Sequence, residues 1–219
     1  MTDEVELDAA PGFVAPELAA EFPGLKLDWV TAQARLRGSP RELKRRLHEL
    51  SSRYRGMSVV AMRTHPIPHA YRTFFHQIGL DPEIDRIPSE RAAVARLVQG
   101  HFQPRNLIDD ACLIALVETG VPVWALDADL VDAGGLGIRL TAEGDRLGSS
   151  EYAAYLPAGR LVVADEHQIH GLLFGDLAPG HAATSRTARV ALFTVGVDGV
   201  PAIHLEEALW VCVEALGTG

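Results

Sequence analysis

Asp165, His167 and His170 fall within six residues and combine the two side-chain types that most often hold divalent metals, a carboxylate and imidazoles. No further histidine or cysteine follows at ordinary ligand spacing, so the trio falls short of a metal site and none is expected. Cys112 would be a nucleophile only with a lowered pKa and a neighbouring base. Its apolar, helix-patterned setting between Ala111 and Leu113 predicts a buried, inert thiol instead. His65 and His69 are four apart, but Pro66 and Pro68 predict a loop there rather than a helix face. Gly134-Gly135-Leu136-Gly137 has the glycines of a phosphate loop, yet a strand pattern follows it and no helix N-terminus would face a phosphate. Nucleotide binding through that segment is excluded, and no cofactor is expected.

The whole chain bounds the function in the same direction. With 219 residues and 47% hydrophobic content it is long enough for one core without covalent staples. Cys112 and Cys212 are the only cysteines and stand a hundred residues apart, too few for a disulfide framework, which points to the reducing cytoplasm. The start, MTDEVELDAAPGF, is acidic and lacks a positive leader. No later apolar run reaches the ~20 residues of a membrane span, so no membrane partner is expected. A net charge of -9 disfavours general affinity for polyanions, and no DNA partner is expected. The charge is uneven, however: Arg35 to Arg55 holds eight basic and two acidic side chains, a local +6. This stretch is either a solvated helix face or a phosphate-contacting patch, for which Arg41, Lys44, Arg45 and Arg46 are the RNA-binding candidates.

Elements that would position these residues follow from periodicity. Ser39-Pro40-Arg41-Glu42 has the form of a capping box and opens a helix with Leu43, Leu47, Leu50 and Tyr54 on one face. Helices are also predicted over Ala70 to Ile78, over Glu90 to Gln99 capped by Ser89, and over Leu107 to Thr119. Each is followed by a glycine suited to a helix C-terminus. After Pro122 the pattern shortens to strands at Val121 to Leu126, Leu136 to Thr141, Leu161 to Ala164, Ile169 to Phe174 and Val190 to Val197. Asp198-Gly199 reads as a hairpin-type turn, and Leu205 to Leu216 as a closing helix. Helices first and strands later, without alternation, predict an α+β fold. We expect a single domain over residues 13–219 behind an acidic, flexible N-terminus of residues 1–12.

Two collinear stretches carry a family resemblance. The first is Tyr71-Arg72, Gly79-Leu80-Asp81-Pro82, Arg86-Ile87-Pro88-Ser89-Glu90, Arg96 and Gly100. The second is Asn106-Leu107-Ile108-Asp109-Asp110, Gly120-Val121-Pro122, Ala125-Leu126-Asp127, Ile138-Arg139, Glu143-Gly144-Asp145, Leu161-Val162-Val163-Ala164-Asp165 and Thr187. In order and spacing they resemble the B3/B4 domain, the amino-acid-editing domain of the bacterial phenylalanyl-tRNA synthetase beta subunit, and the first stretch looks like free-standing members of that family. The resemblance implies a β-barrel-like sheet flanked by helices, around a pocket that in the family removes tyrosine wrongly attached to phenylalanine tRNA. No synthetase catalytic module accompanies it in this sequence.

Residue by residue, the resemblance leaves Asn106, Asp109, Asp127, Arg139, Asp165 and Thr187 as the matched polar positions, with Cys112 and Trp124 as further pocket candidates. The family's Thr-Asn pair aligns with Ala111-Cys112, its pocket histidine with Trp124, and a glutamate with Phe193. Each candidate also has a structural use. Asn106 and Asp109 can cap the helix they precede, Asp127 can close a turn, and Arg139 can pair with a carboxylate. Trp124 can pack a core or offer a flat wall for an aromatic group.

Three functions are therefore open: a deacylase of mischarged tRNA with an altered pocket, a non-catalytic module for RNA, a free amino acid or a nucleoside, and an interaction subunit docking through its basic helix. The partners to expect are tRNA, or a free amino acid or nucleoside.

Overall fold

A computed structural model describes residues 9–54, 61–150, 153–184 and 186–217. It is an α+β fold with two four-stranded sheets. The first sheet has the order β1 (Ala10–Pro11), β3 (Lys26–Gln33), β8 (Arg189–Gly196), β4 (Val123–Asp127), with all pairs antiparallel. In the second, β2 (Phe13–Val14) runs parallel to β5 (Gly137–Leu140), and β6 (Leu161–Ala164) and β7 (Ile169–Leu172) follow antiparallel. The barrel-like sheet implied by the resemblance is not what forms: two separate sheets form, and neither closes on itself. The strands that link them are only two residues each, and Gly12 carries the chain between, its N–H donating to Leu27 O at 2.7 Å while Phe13 N–H donates to Leu136 O. A Cβ on Gly12 would lie 2.4 Å from Leu136 O, so this crossing needs glycine.

The longest strand of the first half was not expected. Lys26–Gln33 reads KLDWVTAQ, in which Trp29, Val30 and Thr31 are of the aromatic and β-branched types that suit a strand, and it pairs along its whole length with β8. Ala10 and Pro11, inside the stretch expected to be flexible, pair with Trp29 and Asp28.

Six α-helices are described: α1 (Pro16–Glu21), α2 (Arg41–Arg53), α3 (Pro66–Gln77), α4 (Pro88–Gln99), α5 (Leu107–Thr119) and α6 (Ala202–Gly217). Helix α6 packs on β3, β8 and β4, α5 packs on α6 and β4, and α2 lies outside α5. Leu27, Leu126, Val190, Leu192, Ile114, Ala208 and Leu209 fill the core between them. Full burial of each Leu, Ile or Val contributes about 1.5 to 3 kcal/mol. Among the described residues no helix is long and apolar enough to cross a membrane.

Four local expectations are corrected. Pro66 and Pro68 do not prevent a helix: they start α3, with His65 as its cap and His69 N–H donating to His65 O at 2.9 Å. The first turn of a helix has no use for the N–H groups that proline lacks, so both prolines fit there. Ser39 does not cap α2, because its hydroxyl donates instead to the buried Asp110 carboxylate at 2.5 Å. Asp198-Gly199 turns β8 into α6 rather than into another strand. Ser89, expected as a cap, is a buried residue inside α4, and Ile87 stands at the cap position.

Candidate functional site

A cleft of about 510 Å³ opens between the N-terminal half of α5, strand β4 and the loop residues 177–183. Its floor is apolar, formed by Ile108, Leu113, Leu116, Val123, Trp124 and Leu177, and Arg91, Arg105, Asn106 and Asp109 supply polar groups. Four of the eight pocket candidates line it: Asn106, Asp109, Cys112 and Trp124.

Trp124 forms a wall whose orientation is fixed from behind. Across the β4–β8 pair it stands opposite Phe193, and the two rings stack with centroids 5.4 Å apart and planes 12° apart. Phe174 meets Trp124 edge-on at 5.8 Å and also packs against Tyr71, Phe74 and Phe75. Phe174 is the only described non-glycine residue with positive φ, 58°, a conformation a bulky side chain adopts only where its surroundings dictate it. Its carbonyl accepts a hydrogen bond from the Arg91 guanidinium at 3.0 Å, which ties the aromatic cluster to the cleft wall.

At the mouth, Asn106 caps α5, accepting from Asp109 N–H at 2.9 Å and donating to the Asp109 carboxylate at 2.8 Å. Capping and cleft lining are thus one arrangement. Arg105 is exposed, and among the described residues no carboxylate pairs with its guanidinium. Cys112 is partly exposed on the cleft rather than buried, because α5 presents this side to the opening.

The other four candidates lie outside the cleft walls and hold loops together. Asp127 accepts from the buried Thr187 hydroxyl at 2.6 Å and from Asp129 N–H, and Thr187 in turn accepts from Thr184 N–H, which ties Thr184 and Thr187 to the end of β4. Arg139 pairs with Asp145 at 2.6 Å, and this hydrogen bond holds the Asp145 carboxyl below the usual range. Asp165 is buried in a chain of polar contacts. Its carboxylate accepts from His170 Nε2 at 2.7 Å and from the N–H groups of Asp132, His167 and Gln168. Burial pushes the Asp165 carboxyl up, but these four donors outweigh it and leave the group below its ordinary value. His170 Nδ1 in turn meets His181 Nδ1 at 2.9 Å, with both rings buried.

Sequence reasoning missed His181, Arg91, Arg105 and Cys212. His181 had a weak signal, since it is a third histidine after the Asp165 group, but only the return of the loop at residues 175–181 brings it home. Asp132, Asp165 and His167 place ligand atoms within 4.8 Å of one another. Within this group both Asp165 oxygens accept from N–H donors and His167 Nδ1 meets the Asp132 carboxylate, so the three side chains tie the loop residues at 132 and 165–168 together.

The RNA-binding candidates divide likewise. Arg46 forms a bidentate pair with Glu118 at 2.9 and 2.6 Å and reaches Glu214 at 3.2 Å, joining α2 to α5 and α6. Arg45 pairs along its own helix with Glu42 and Glu49. Arg41 and Lys44 are exposed, and Arg55 lies outside the described residues.

The fold and cleft together define an α+β protein with an amphipathic ligand-sized pocket. Scans of the sequence against protein-family models and against curated proteins find no match.

Proposed function

We propose that the chain is a free-standing module of the B3/B4 type that binds a small ligand with a flat aromatic group, a free aromatic amino acid or a nucleoside, without hydrolysing it. One observation carries this reading: a single cleft combines the Trp124 wall, braced by Phe193 and Phe174, with Arg91 and Arg105. Apolar clefts with a few convergent polar groups are the usual form of small-ligand sites. Stacking on Trp124 would hold the aromatic group, and Arg105 would donate to the carboxylate of an amino acid or to a ribose hydroxyl of a nucleoside. For an amino acid, Asp109 is the acceptor for the ammonium group.

Ester hydrolysis asks for a positioned water, a base within hydrogen-bond reach and donors aimed at the oxyanion. Among the described residues no histidine lines the cleft, and the Asp127, Thr187 and Asp165 groups spend their polar atoms on loops. The resemblance keeps a deacylase in view, with tRNA hydroxyls and backbone amides doing the chemistry. Cys112, partly open on the cleft, is the specific feature that favours it.

The test is equilibrium dialysis of labelled amino acids and nucleosides, run beside a panel of aminoacyl-tRNAs assayed for release of labelled amino acid. Retention of an aromatic compound with no release from any tRNA is the expected result. Rapid, selective release from one aminoacyl-tRNA would replace this reading with the deacylase.

A further inference from the structure

The two cysteines, a hundred residues apart in sequence, meet in the fold. Cys112 on α5 and Cys212 on α6 face each other with sulfurs 3.8 Å apart where the two helices pack. Closing to a disulfide requires roughly 1.8 Å of further approach, since the bond itself is about 2.05 Å, and side-chain rotation within a packed helix pair supplies movements of that size. The two thiols are not equivalent. Cys112 is partly exposed and lines the cleft, whereas Cys212 is wholly shut off from solvent behind it.

We propose that Cys112 and Cys212 form a peroxide-responsive dithiol, with Cys112 as the thiol attacked from the cleft and Cys212 as the resolving thiol. The proposal is independent of which ligand the cleft takes. In the first step the Cys112 thiolate attacks the distal oxygen of a hydroperoxide. An S–O bond forms, the O–O bond breaks, and the departing alkoxide takes up a proton to leave as the alcohol, or as water when the oxidant is hydrogen peroxide. Cys112 is then a sulfenic acid. In the second step the Cys212 sulfur attacks the Cys112 sulfur and the S–O bond breaks. The hydroxide leaves with the proton of Cys212 as water. Two thiols are oxidised by two electrons and one peroxide is reduced.

The division of roles follows from access and acidity together. The hydrogen bond with Cys112 and its burial both push the Cys212 thiol up, so it is seldom a thiolate in bulk equilibrium and cannot be the first to react. It need only react once a sulfenic acid lies against it.

The experiment exposes the reduced, folded full chain to hydrogen peroxide, quenches, unfolds, alkylates the remaining thiols and reads the intact mass and the linked peptides. The expected result is a monomer that has lost both alkylatable thiols, holds a Cys112–Cys212 cross-link and regains both thiols with dithiothreitol. Cys112→Ser should leave Cys212 alkylatable after the same exposure. Cys212→Ala should stop at the sulfenic acid, which dimedone traps on Cys112. Two alkylatable thiols remaining in the wild type, or cross-links found only between molecules, would overturn the proposal. The wild-type chain alone separates these outcomes, so the test holds even where a variant fails to fold.

Discussion

His170 Nε2 donates to the Asp165 carboxylate at 2.7 Å with neither side chain reaching solvent, and His170 Nδ1 meets His181 at 2.9 Å. An ionised Asp165 only accepts, so His170 carries its hydrogen on Nε2. Of the two Nδ1 atoms that meet, one donates its hydrogen and the other accepts it. The chain anchors the loops before β7 and before β8 to each other. Asp165→Ala would strip the acceptor from His170 and from three backbone N–H groups. Each buried donor left without an acceptor costs ~1–3 kcal/mol, so a total loss of about 3 kcal/mol or more is expected in urea unfolding.

The same chain sets a pH dependence. Burial first, and then the neighbouring His170, lower the His181 pKa from 6.5, with Asp165 opposing them. The unfolded chain therefore takes up a proton at His181 before the folded chain does. Stability from this residue is complete above 6.5 and falls as pH drops below it. Asp165, lowered from 3.8, contributes stability that is present above 3.8 and is lost as pH falls through its folded value. Urea midpoints measured against pH should show two descending steps on acidification, and His181→Gln should remove the upper one.

Phe174 places the cleft wall through strain that its neighbours hold. With φ at 58° and four aromatic contacts, it is the piece against which Trp124 is set. Phe174→Ala should cost about 3 to 5 kcal/mol, as large-to-small changes at buried phenylalanines do. It should also broaden the near-ultraviolet circular dichroism of the tryptophans as Trp124 loses its brace.

Much of the framework was legible in the residues. Asn106 as a cap, Gly100 and Gly120 as left-handed helix ends, and Val190 to Val197 as a buried strand all come from local physics that tertiary packing does not override. The failures share a cause. Ser39 looked like a cap because nothing in its neighbourhood reveals Asp110, 71 residues on, which needs its hydroxyl. Pro66 and Pro68 read as breakers until their place in a first turn was known. The site was legible by half: Asn106, Asp109, Cys112 and Trp124 share α5 and β4, adjacent in sequence and in space. Arg91, on α4, reaches the cleft through long-range packing that no local pattern encodes, and Arg105, beside Asn106, carried no motif to mark it.

Charges on α2 separate structure from RNA contact. Arg46→Ala should cost about 1 kcal/mol by breaking a partly buried bidentate pair with Glu118, while Arg45→Ala, at an exposed helical pair, should leave the urea midpoint unchanged. With Arg45 and Arg46 engaged, tRNA binding through this helix would rest on Arg41 and Lys44. Filter binding of unfractionated tRNA should then be no tighter than about 10⁻⁶ M at physiological salt, the tight end of the range of nonspecific contact.

A ligand cleft walled by Trp124 and lined by Arg105 is tested most directly by calorimetric titration of the best-retained aromatic compound. The comparison is between wild type, Trp124→Leu, Arg105→Ala and Arg139→Ala. Loss of stacking, or of a charge-assisted hydrogen bond, is worth about 1 to 3 kcal/mol, so Trp124→Leu and Arg105→Ala should each weaken binding by about fivefold or more. Arg139→Ala, which lies outside the cleft and removes the pair with Asp145 and the hydrogen bond to Leu140 O, should leave affinity unchanged. Affinity that ignores Trp124→Leu and Arg105→Ala but falls with Arg139→Ala would place the ligand elsewhere and contradict a binding role for this cleft.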